Sequence, residues 1–335
     1  LQDLGDFRSK TGRPFVDRLL PWLDDHRDQP FFVFLHVFDP HSPFRPRAPW
    51  DRRWLDEEEL AGHEENVERI EEVVEIFHEL PDLEQLEEAG VENEPYTRAQ
   101  IAWYDASIRA MDHEIGRVLE RLDELGLRDD TLIAVIADHG EEFREHGEPW
   151  HGHSVYGEMI NVPMIVNWPG VVPAGVVVEE TTQSIDLMPT LLELARVPVP
   201  EQAQGRSLLP FMVAPDDPAS VGWPGGPVFS ERRQAPGEED EDMPDAYTVI
   251  DDGWKLIWNV EVRDERPEYE LFDYAADPLD AVNLAAEHPE RVSELRGLIE
   301  EWRERAEAEK VGDEALSEEL SPEELEELRA LGYID

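Results

Sequence analysis

The feature that most constrains the fold is an unbroken apolar run, Leu132 to Ala137, that stops abruptly at Asp138 and His139. The run is too short for a helix and rich in β-branched residues, which is typical of a strand buried on both faces, as in a parallel sheet. Ligands of open α/β sheets bind beyond the carboxyl ends of the strands, so this acid and imidazole are well placed for chemistry. On this stretch alone, a polar loop with Asp138 as the N-cap of the next helix is an equal alternative.

A second run follows the same logic. Phe31 to Val37 is apolar except for His36, and Asp39, Pro40 and His41 follow it after Phe38. If the two predicted strands lie side by side, the Asp and the His that follow each strand share one cleft. Carboxylate oxygens and imidazole nitrogens can hold a divalent cation, and a cation there would bind and polarise an anionic ester.

The charge balance argues against two classes of partner. The 335 residues include 80 acidic and 29 basic side chains, for a formal net charge of −51, so nucleic acid and anionic membranes would be repelled. Acid excess with only three lysines leads to the hypothesis of a protein adapted to very high salt, where self-repulsion is screened. Cysteine is absent, which excludes disulfides and thiol chemistry, and no stretch approaches the length of a transmembrane helix.

Hydrophobic periodicity and turn residues predict the remaining organisation. A composition shift at 214–226 indicates a boundary between an α/β domain, 1–213, and a smaller C-terminal subdomain, 214–335, which is expected to contain an antiparallel sheet with an Asp-Gly hairpin turn. The intensely acidic stretch at about 50–95 is interpreted as a solvated helical insertion, with a lid over the cleft as the alternative. Helices are predicted at 14–27, 97–125, 184–197, 289–310 and 322–331, and further strands at 162–166, 228–230, 247–250, 254–258 and 269–274.

The strongest predicted helix, 97–125, carries one apolar stripe at steps of three and four residues. We expect this stripe to face the core. Its members are Ile101, Tyr104, Ile108, Met111, Ile115, Val118, Leu122 and Leu125.

Several motifs occur in an order that resembles the sulfatase family of the alkaline phosphatase superfamily. They are DPHSPF, then DDTLIAVIADHGEEFREHG, then HGHSVYGEMINVPMIV, followed by SIDLMPTLLELARV, GRSLLPFM and SPEELEELRALGY. Each motif is weak alone, but the DHG and HGH pair behind DPHxP is specific as a combination, and the resemblance covers nearly the whole chain. It implies an α/β fold with an alkaline-phosphatase-like, mostly parallel central sheet flanked by helices, plus a small C-terminal α+β subdomain.

The resemblance also implies a chemistry. Asp138 and His139 match the family's metal-binding pair, for which Ca²⁺ is expected, and His41 and His153 match residues that contact the sulfate group. The family's nucleophile is a formylglycine made in a C/S-x-P-x-R motif, which this chain lacks. We therefore expect an N-terminally truncated sulfatase, acting in its complete form on a sulfated small molecule or carbohydrate, with little or no hydrolase activity in this chain alone.

Two other functions are open at this point. The first is a phosphatase, phosphodiesterase or phosphonate hydrolase of the same superfamily, since the scaffold is shared and the nucleophile decides. The second is a non-catalytic relative that only binds a cation or a partner. Among the other polar residues, Asp39 is expected to orient its loop and His36 to be a buried structural histidine. His146 and His151 would either support the site or lie exposed, and a zinc site formed by these two with His153 is conceivable but lacks a conventional spacing.

Overall fold

The computed structural model describes residues 12–46, 48–74, 80–233, 245–260 and 266–309, and it divides into two units, Leu1–Pro224 and Gly225–Asp335. In the described part of the first unit the helices are α1 (Gly12–His26), α2 (Glu57–Val73), α3 (Leu83–Glu88), α4 (Asn93–Glu124), α5 (Gly157–Ile160), α6 (Leu187–Leu194) and α7 (Leu209–Val213). The strands there are β1 (Ile133–Ile136), β2 (Glu142–Phe143), β3 (Pro149–Trp150) and β4 (Met164–Asn167). Single 3-10 turns lie at Trp50–Arg52, Arg128–Asp130, Ser184–Asp186 and Pro218–Val221.

The long helix α4 is confirmed, but its predicted apolar stripe is wrong in its first half. Ile101 and Ile108 are exposed. The buried positions there are Tyr96, Ala99, Gln100, Trp103, Ala106 and Ser107. The polar members of this face are tolerated because they are hydrogen-bonded; the Ser107 hydroxyl, for example, donates to the Trp103 carbonyl at 2.9 Å. Helix α4 is therefore buried along the face that the acidic insertion covers.

The acidic stretch folds into helices that have a core of their own. Asp56 and Asp82 begin α2 and α3 with complete capping boxes, which satisfy the first backbone N–H groups of each helix. Ile70 and Leu86 are fully buried and pack with Tyr96 at the start of α4. Sequence patterning predicted the helices and their solvated face, and the structure adds a buried seam beneath them.

His63 of α2 is buried in the same region, between the rings of Tyr96 and Trp103. One ring nitrogen lies 3.2 Å from the Gln100 side-chain nitrogen. Burial lowers the pKa of His63 from 6.5 to about 4, because the charged imidazolium would lose its hydration. This histidine is therefore neutral at physiological pH and acts as a packing residue.

The predicted central strand at Phe31–Val37 is wrong for this chain. The segment is extended but pairs with none of the described strands, and its side chains alternate in exposure, with Phe32 84% and Phe34 80% exposed. His36, expected to be buried, is also exposed, and its ring lies 6.0 Å from that of Phe34 and 5.2 Å from that of Phe38. The apolar run signals burial on both faces, whereas the described residues cover only one.

The predicted strands at 132–137 and 162–166 do form β1 and β4. They pair with each other in antiparallel fashion, with Ile133 opposite Asn167 and Ile136 opposite Met164. Neither strand is fully buried, and Ile165 is 58% exposed. The two-sided burial predicted from the apolar run is therefore incomplete in the described residues.

In the second unit, the strands β5 (Val228–Arg232), β6 (Ala246–Asp251), β7 (Trp254–Asn259) and β8 (Tyr269–Asp273) form one antiparallel sheet in chain order. The predicted hairpin is confirmed: Asp252 and Gly253 both have positive φ, 46° and 76°, as a type I′ turn requires. Helix α8 (Pro289–Ala308) packs on this sheet and buries Leu295 and Ile299 completely against it. The predicted helix at 322–331 lies outside the described residues.

The second unit also contains a buried ion pair. The Lys255 ammonium on β7 contacts the Asp280 carboxylate, and both side chains are fully buried. Charges of this kind are stable in an interior only as a pair, because either one alone would lose its hydration without compensation.

Among the described helices, none is both long and apolar enough to cross a membrane.

Candidate active site

An aromatic contact brings the two sequence motifs together. Phe44, three residues after His41, is fully buried, and its ring lies 5.2 Å from Tyr104 of α4 and 5.7 Å from Phe143 of β2. The rings of Tyr104 and Phe143 are 5.3 Å apart. The loop after Phe31–Val37 and the loop after β1 are therefore both anchored on α4 by packed aromatic rings. Such ring pairs add stability beyond that expected from the apolar area they bury.

The polypeptide after Asp138–His139 forms a short ribbon in which β2 pairs with β3, Glu142 opposite Trp150. Neighbouring side chains on a strand point to opposite faces, so Phe143 enters the aromatic core while Glu142 is buried elsewhere. The chain returns after β3 so that His151 Nδ1 donates to Glu141 Oε1 at 3.0 Å. The ribbon thus places an imidazole from twelve residues downstream beside the DHG turn.

Three imidazoles converge at this point, and we call His41, His139 and His151 the imidazole group. The rings of His139 and His151 stack at 4.3 Å, and those of His41 and His151 lie 4.9 Å apart. The pKa of His41 is lowered mainly because the ring is partly buried; the neighbouring His151 and His139 lower it further, while its bond to the Ser42 carbonyl and Glu141 oppose this. The group is held in place by acceptors on the Nδ1 side of each ring: the Ser42 carbonyl for His41, the Gly140 carbonyl for His139 and Glu141 for His151.

Asp138 and His139 have a geometry that fits two ligands of one cation. A carbonyl oxygen can only accept, so the contact with Gly140 fixes the His139 proton on Nδ1 and leaves the lone pair on Nε2. His139 Nε2 and Asp138 Oδ2 are 3.7 Å apart, a spacing that one cation can bridge with bonds of about 2.4 Å. The Asp138 side chain is 77% exposed, and within the described residues the pair joins no third metal-ligating side chain. By themselves these two residues would supply only part of a coordination shell.

Gly140 is required by a close backbone approach. Its N–H donates to the Met159 carbonyl at 2.8 Å, and a Cβ built on Gly140 would lie 1.8 Å from the Glu158 carbonyl oxygen. No side chain fits there without moving the backbone. The backbone of the DHG turn is consequently pressed against α5, directly after Asp138 and His139.

His153 and Asp39 lie outside the imidazole group. His153 Nε2 is 3.2 Å from Oε2 of the fully buried Glu142, which also accepts from the Ser154 hydroxyl. Asp39 Oδ2 accepts from the Gly12 backbone N–H at 2.8 Å and so fixes the loop to the start of α1, in line with the orienting role expected for it. The role of His153 at the sulfate group stays a prediction. The histidine whose ring contacts those of His41 and His139 is His151.

The three histidines of the conceivable zinc site do not form one cluster. Each is engaged by a different glutamate: His146 by Glu158, His151 by Glu141 and His153 by Glu142. Sequence reasoning missed these glutamates, because in a chain with 80 acidic residues each one resembles ordinary surface charge. The one available signal is position, since Glu141 and Glu142 follow the DHG turn directly.

Comparison with known proteins places this geometry in a family. The sulfatase family model matches residues 12–197, and the model for the C-terminal region of N-sulphoglucosamine sulphohydrolase matches residues 145–305. The chain is 30% identical to the multifunctional alkaline phosphatase superfamily protein PehA of Trinickia caryophylli, over 82% of this chain and 55% of PehA. It is 28% identical to an arylsulfatase of Clostridium perfringens, over 81% of this chain and 53% of that enzyme.

Solved structures agree with these matches. The phosphonate monoester hydrolase of Silicibacter pomeroyi superposes with a TM-score of 0.64 at 28% identity, covering 88% of this chain and 59% of that one. The alkaline-phosphatase-like α/β fold predicted from the sequence is thereby confirmed. The chain spans about half the length of the curated relatives it matches. With a family model matched over more than half of its residues, this chain belongs to the sulfatase family of the alkaline phosphatase superfamily.

Proposed function

We propose that this chain contains the cation-binding and anion-binding part of a sulfate ester hydrolase. The observation that supports this most directly is the convergence of the imidazole group with Asp138. Two ring–ring distances below 5 Å bring three imidazoles together next to an exposed carboxylate. Such a cluster suits an anionic ester that is bound together with a cation. The carboxylate and one imidazole would bind the cation, and the other two imidazoles would contact the oxygens of the ester.

Each residue has a role in this proposal. Asp138 and His139 would hold the cation, for which Ca²⁺ is expected, and this cation would polarise the ester oxygens and offset their charge. His41 and His151 contact the sulfate oxygens. Glu141 accepts the Nδ1 proton of His151 and so orients this ring. His153 contacts the leaving oxygen, as the family resemblance implies.

The nucleophile belongs to the proposal as an expectation. A formylglycine would be made from Cys or Ser in a C/S-x-P-x-R motif, and this sequence contains neither a cysteine nor an S-x-P-x-R string. We therefore expect binding without turnover from the chain as given. Hydrolysis of 4-nitrophenyl sulfate by this purified chain, above the level given by its His41→Ala variant, would overturn this expectation.

Sulfated carbohydrates are the substrate class we favour. The model for the C-terminal region of N-sulphoglucosamine sulphohydrolase covers residues 145–305, which include β3 and the two histidines that follow it, His151 and His153. A phosphonate or phosphate ester is the second candidate, because one solved relative at 28% identity is a phosphonate monoester hydrolase and PehA is described as multifunctional. Glucosamine 6-sulfate, phenyl sulfate and phenyl phosphonate are the probes that separate these classes.

The test is calorimetric titration of the full chain with CaCl₂, and then with each probe in the presence of Ca²⁺. Asp138→Asn is expected to abolish the Ca²⁺ isotherm, whereas Asp130→Asn, which removes an exposed charge just before β1, leaves it unchanged. His151→Ala is expected to weaken probe binding while keeping the Ca²⁺ isotherm. Equal Ca²⁺ binding by Asp138→Asn and Asp130→Asn would contradict the assigned cation site, and stronger binding of the phosphonate than of both sulfates would favour the second candidate.

A further inference from the structure

A second cluster of metal-ligating groups lies between the ribbon and α5. Glu142 of β2, His146 of the following loop and Glu158 of α5 each offer one ligand atom, and the three atoms lie within 4.8 Å of one another. Glu142 is fully buried, and the side chains of His146 and Glu158 are 15% and 8% exposed. None of these three residues belongs to the imidazole group, and none has a role in the proposed hydrolysis.

The side chain of Glu158 independently indicates that this cluster binds a ligand. Its Oε1 is 2.5 Å from His146 Nδ1, so the carboxylate points into the cluster. Its Oε2 is buried and has no hydrogen-bond partner among the described residues. A buried acceptor without a donor is unfavourable, more so when it is charged, and a second buried carboxylate, Glu142, adds repulsion. A cation bound between the two carboxylates would remove both costs.

We propose that Glu142, His146 and Glu158 form a site for a divalent transition-metal ion of the Zn²⁺ class. One imidazole nitrogen with two carboxylate oxygens is a ligand set that Zn²⁺ accepts, with water in the fourth position. Tetrahedral bonds of about 2.1 Å require ligand atoms about 3.4 Å apart. The His146–Glu158 contact at 2.5 Å therefore opens slightly on binding, as the metal replaces the proton between them.

The surroundings hold these ligands in place. Glu142 Oε2 accepts from the Ser154 hydroxyl and lies 3.2 Å from His153 Nε2, which leaves Oε1 on the side of His146. The His146 ring stacks on Tyr156 with a centroid distance of 3.6 Å and an interplanar angle of 10°. Fixed ring planes and oriented carboxylates are what metal ligands need from the groups around them.

This site differs chemically from the pair Asp138–His139. Ca²⁺ prefers six to eight oxygen ligands in a flexible shell, whereas the buried cluster offers three protein ligands including an imidazole. A Zn²⁺ ion there would join β2, the loop at His146 and α5. Because the Glu158 backbone presses on Gly140, the metal would also steady the DHG turn and the ribbon that carries His151. We assign it a positioning role.

The test uses the full chain, freed of metal with EDTA and titrated with ZnCl₂ by calorimetry, with metal content measured by mass spectrometry after gel filtration. We expect one tightly bound Zn²⁺ and a higher Tm when it is present. Replacing groups that only hydrogen-bond to a ligand costs about 10–100-fold in affinity, so Ser154→Ala should fall in this range and Glu158→Gln should exceed it.

Two control variants distinguish Zn²⁺ binding at this site from nonspecific binding to the acidic surface and from binding at Asp138 and His139. Glu148→Gln removes an exposed acid from the same loop and should bind Zn²⁺ like the unaltered chain. Asp138→Asn should also retain the site. In metal-free buffer Glu158→Gln should be at least as stable as the parent, because it removes a buried charge, and Zn²⁺ should no longer raise its Tm.

The proposal is overturned if no stoichiometric Zn²⁺ binds, or if Glu158→Gln and Glu148→Gln bind it equally. Loss of the ion in Asp138→Asn would also overturn it, since the metal would then belong to the other site. If Glu158→Gln fails to fold, as judged by far-UV circular dichroism, His146→Asn gives the same comparison. Ca²⁺ binding by Asp138 is measured in the same samples, so failure of either site is seen separately.

Discussion

In the C-terminal unit, each strand of the sheet β5–β8 is paired with its neighbour over five or six residues, and α8 packs on the sheet. In the first unit, β1 and β4 pair over four residues, β2 and β3 over two, and Phe31–Val37 with none of the described strands. In the C-terminal sheet, each strand pairs with the strand next to it in the chain. The polar motifs of the candidate site follow segments that lack such pairing.

The difference shows how the site keeps its shape. Paired strands position residues through the hydrogen-bond ladder, but the loops that carry His41 and His151 depend on other contacts. These are the packing of Phe44, Tyr104 and Phe143, the backbone bond of Gly140, and the glutamates on the ribbon. Side-chain packing and hydrogen bonds therefore do in the first unit what the ladder does in the second. The following predictions test that contrast.

The largest effect is expected at the buried ion pair of the C-terminal unit. Lys255→Ala leaves the Asp280 charge buried without its cation and should lower the free energy of unfolding by about 3–5 kcal/mol. Chemical denaturation of the full chain, followed by far-UV circular dichroism, measures it. Adding Asp280→Asn should recover part of the loss, since the stranded charge is then removed. A loss below 1 kcal/mol for the single variant would mean that water reaches the pair.

Apolar truncation should separate the two units clearly. Leu256 is fully buried in the sheet core, so Leu256→Ala should cost about 2–5 kcal/mol. Phe32 is 84% exposed, so Phe32→Ala should change stability by no more than about 0.5 kcal/mol. Both are measured by the same denaturation experiment. A cost for Phe32→Ala as large as that for Leu256→Ala would show that Phe31–Val37 is covered in solution, and the contrast between the units would fail.

His63 tests whether the helical insertion of the first unit has a real core. Its pKa is about 4 in the folded chain and 6.5 when unfolded, so acidification protonates the unfolded state first. The contribution is fully present above pH 6.5 and is lost as the pH falls towards 4. Between pH 7.5 and 5.0 the loss amounts to about 2 kcal/mol.

The measurement compares the free energy of unfolding of the unaltered chain and of His63→Gln at both pH values. The difference between them isolates this histidine from the many acidic groups. A loss on acidification that is the same in both chains would show that His63 is hydrated, and the insertion would then be less well packed than its buried Ile70 and Leu86 indicate.

The smallest effect is expected on the exposed face of α4. Arg109 and Asp112 form an ion pair one turn apart with both side chains largely exposed. Asp112→Asn should cost at most about 0.5 kcal/mol in dilute buffer and less in molar KCl, because salt screens exposed charges. Thermal unfolding in both media measures it. An effect that grows with salt would contradict simple screening and would bear on the high-salt hypothesis.

The sequence predicts local structure well where one physical signal decides. The Asp252-Gly253 turn requires positive φ, and the predicted hairpin forms there, with Asp251 opposite Trp254. Asp138 and His139 also lie where the strand ends, as the apolar run predicts. These features depend on a few neighbouring residues, which the sequence contains in full.

Prediction fails where burial depends on distant parts of the chain. Phe31–Val37 has the composition of a two-sided buried strand, but exposure is decided by what lies beside it. On α4, the face with Gln100 and Ser107 is buried because the insertion packs there, which periodicity cannot show. Glu142 and Glu158 form part of one cluster only through the ribbon, sixteen residues apart in the chain.

Lys255 gives the protein a built-in chemical reporter. It is one of three lysines, with Lys10 and Lys310, and its side chain is fully buried beneath the C-terminal sheet. An amine-reactive reagent can modify it only when the sheet opens, so the rate of its labelling measures the free energy of that opening. Peptide mass spectrometry reads this rate at a single site, without introducing any substitution into the chain.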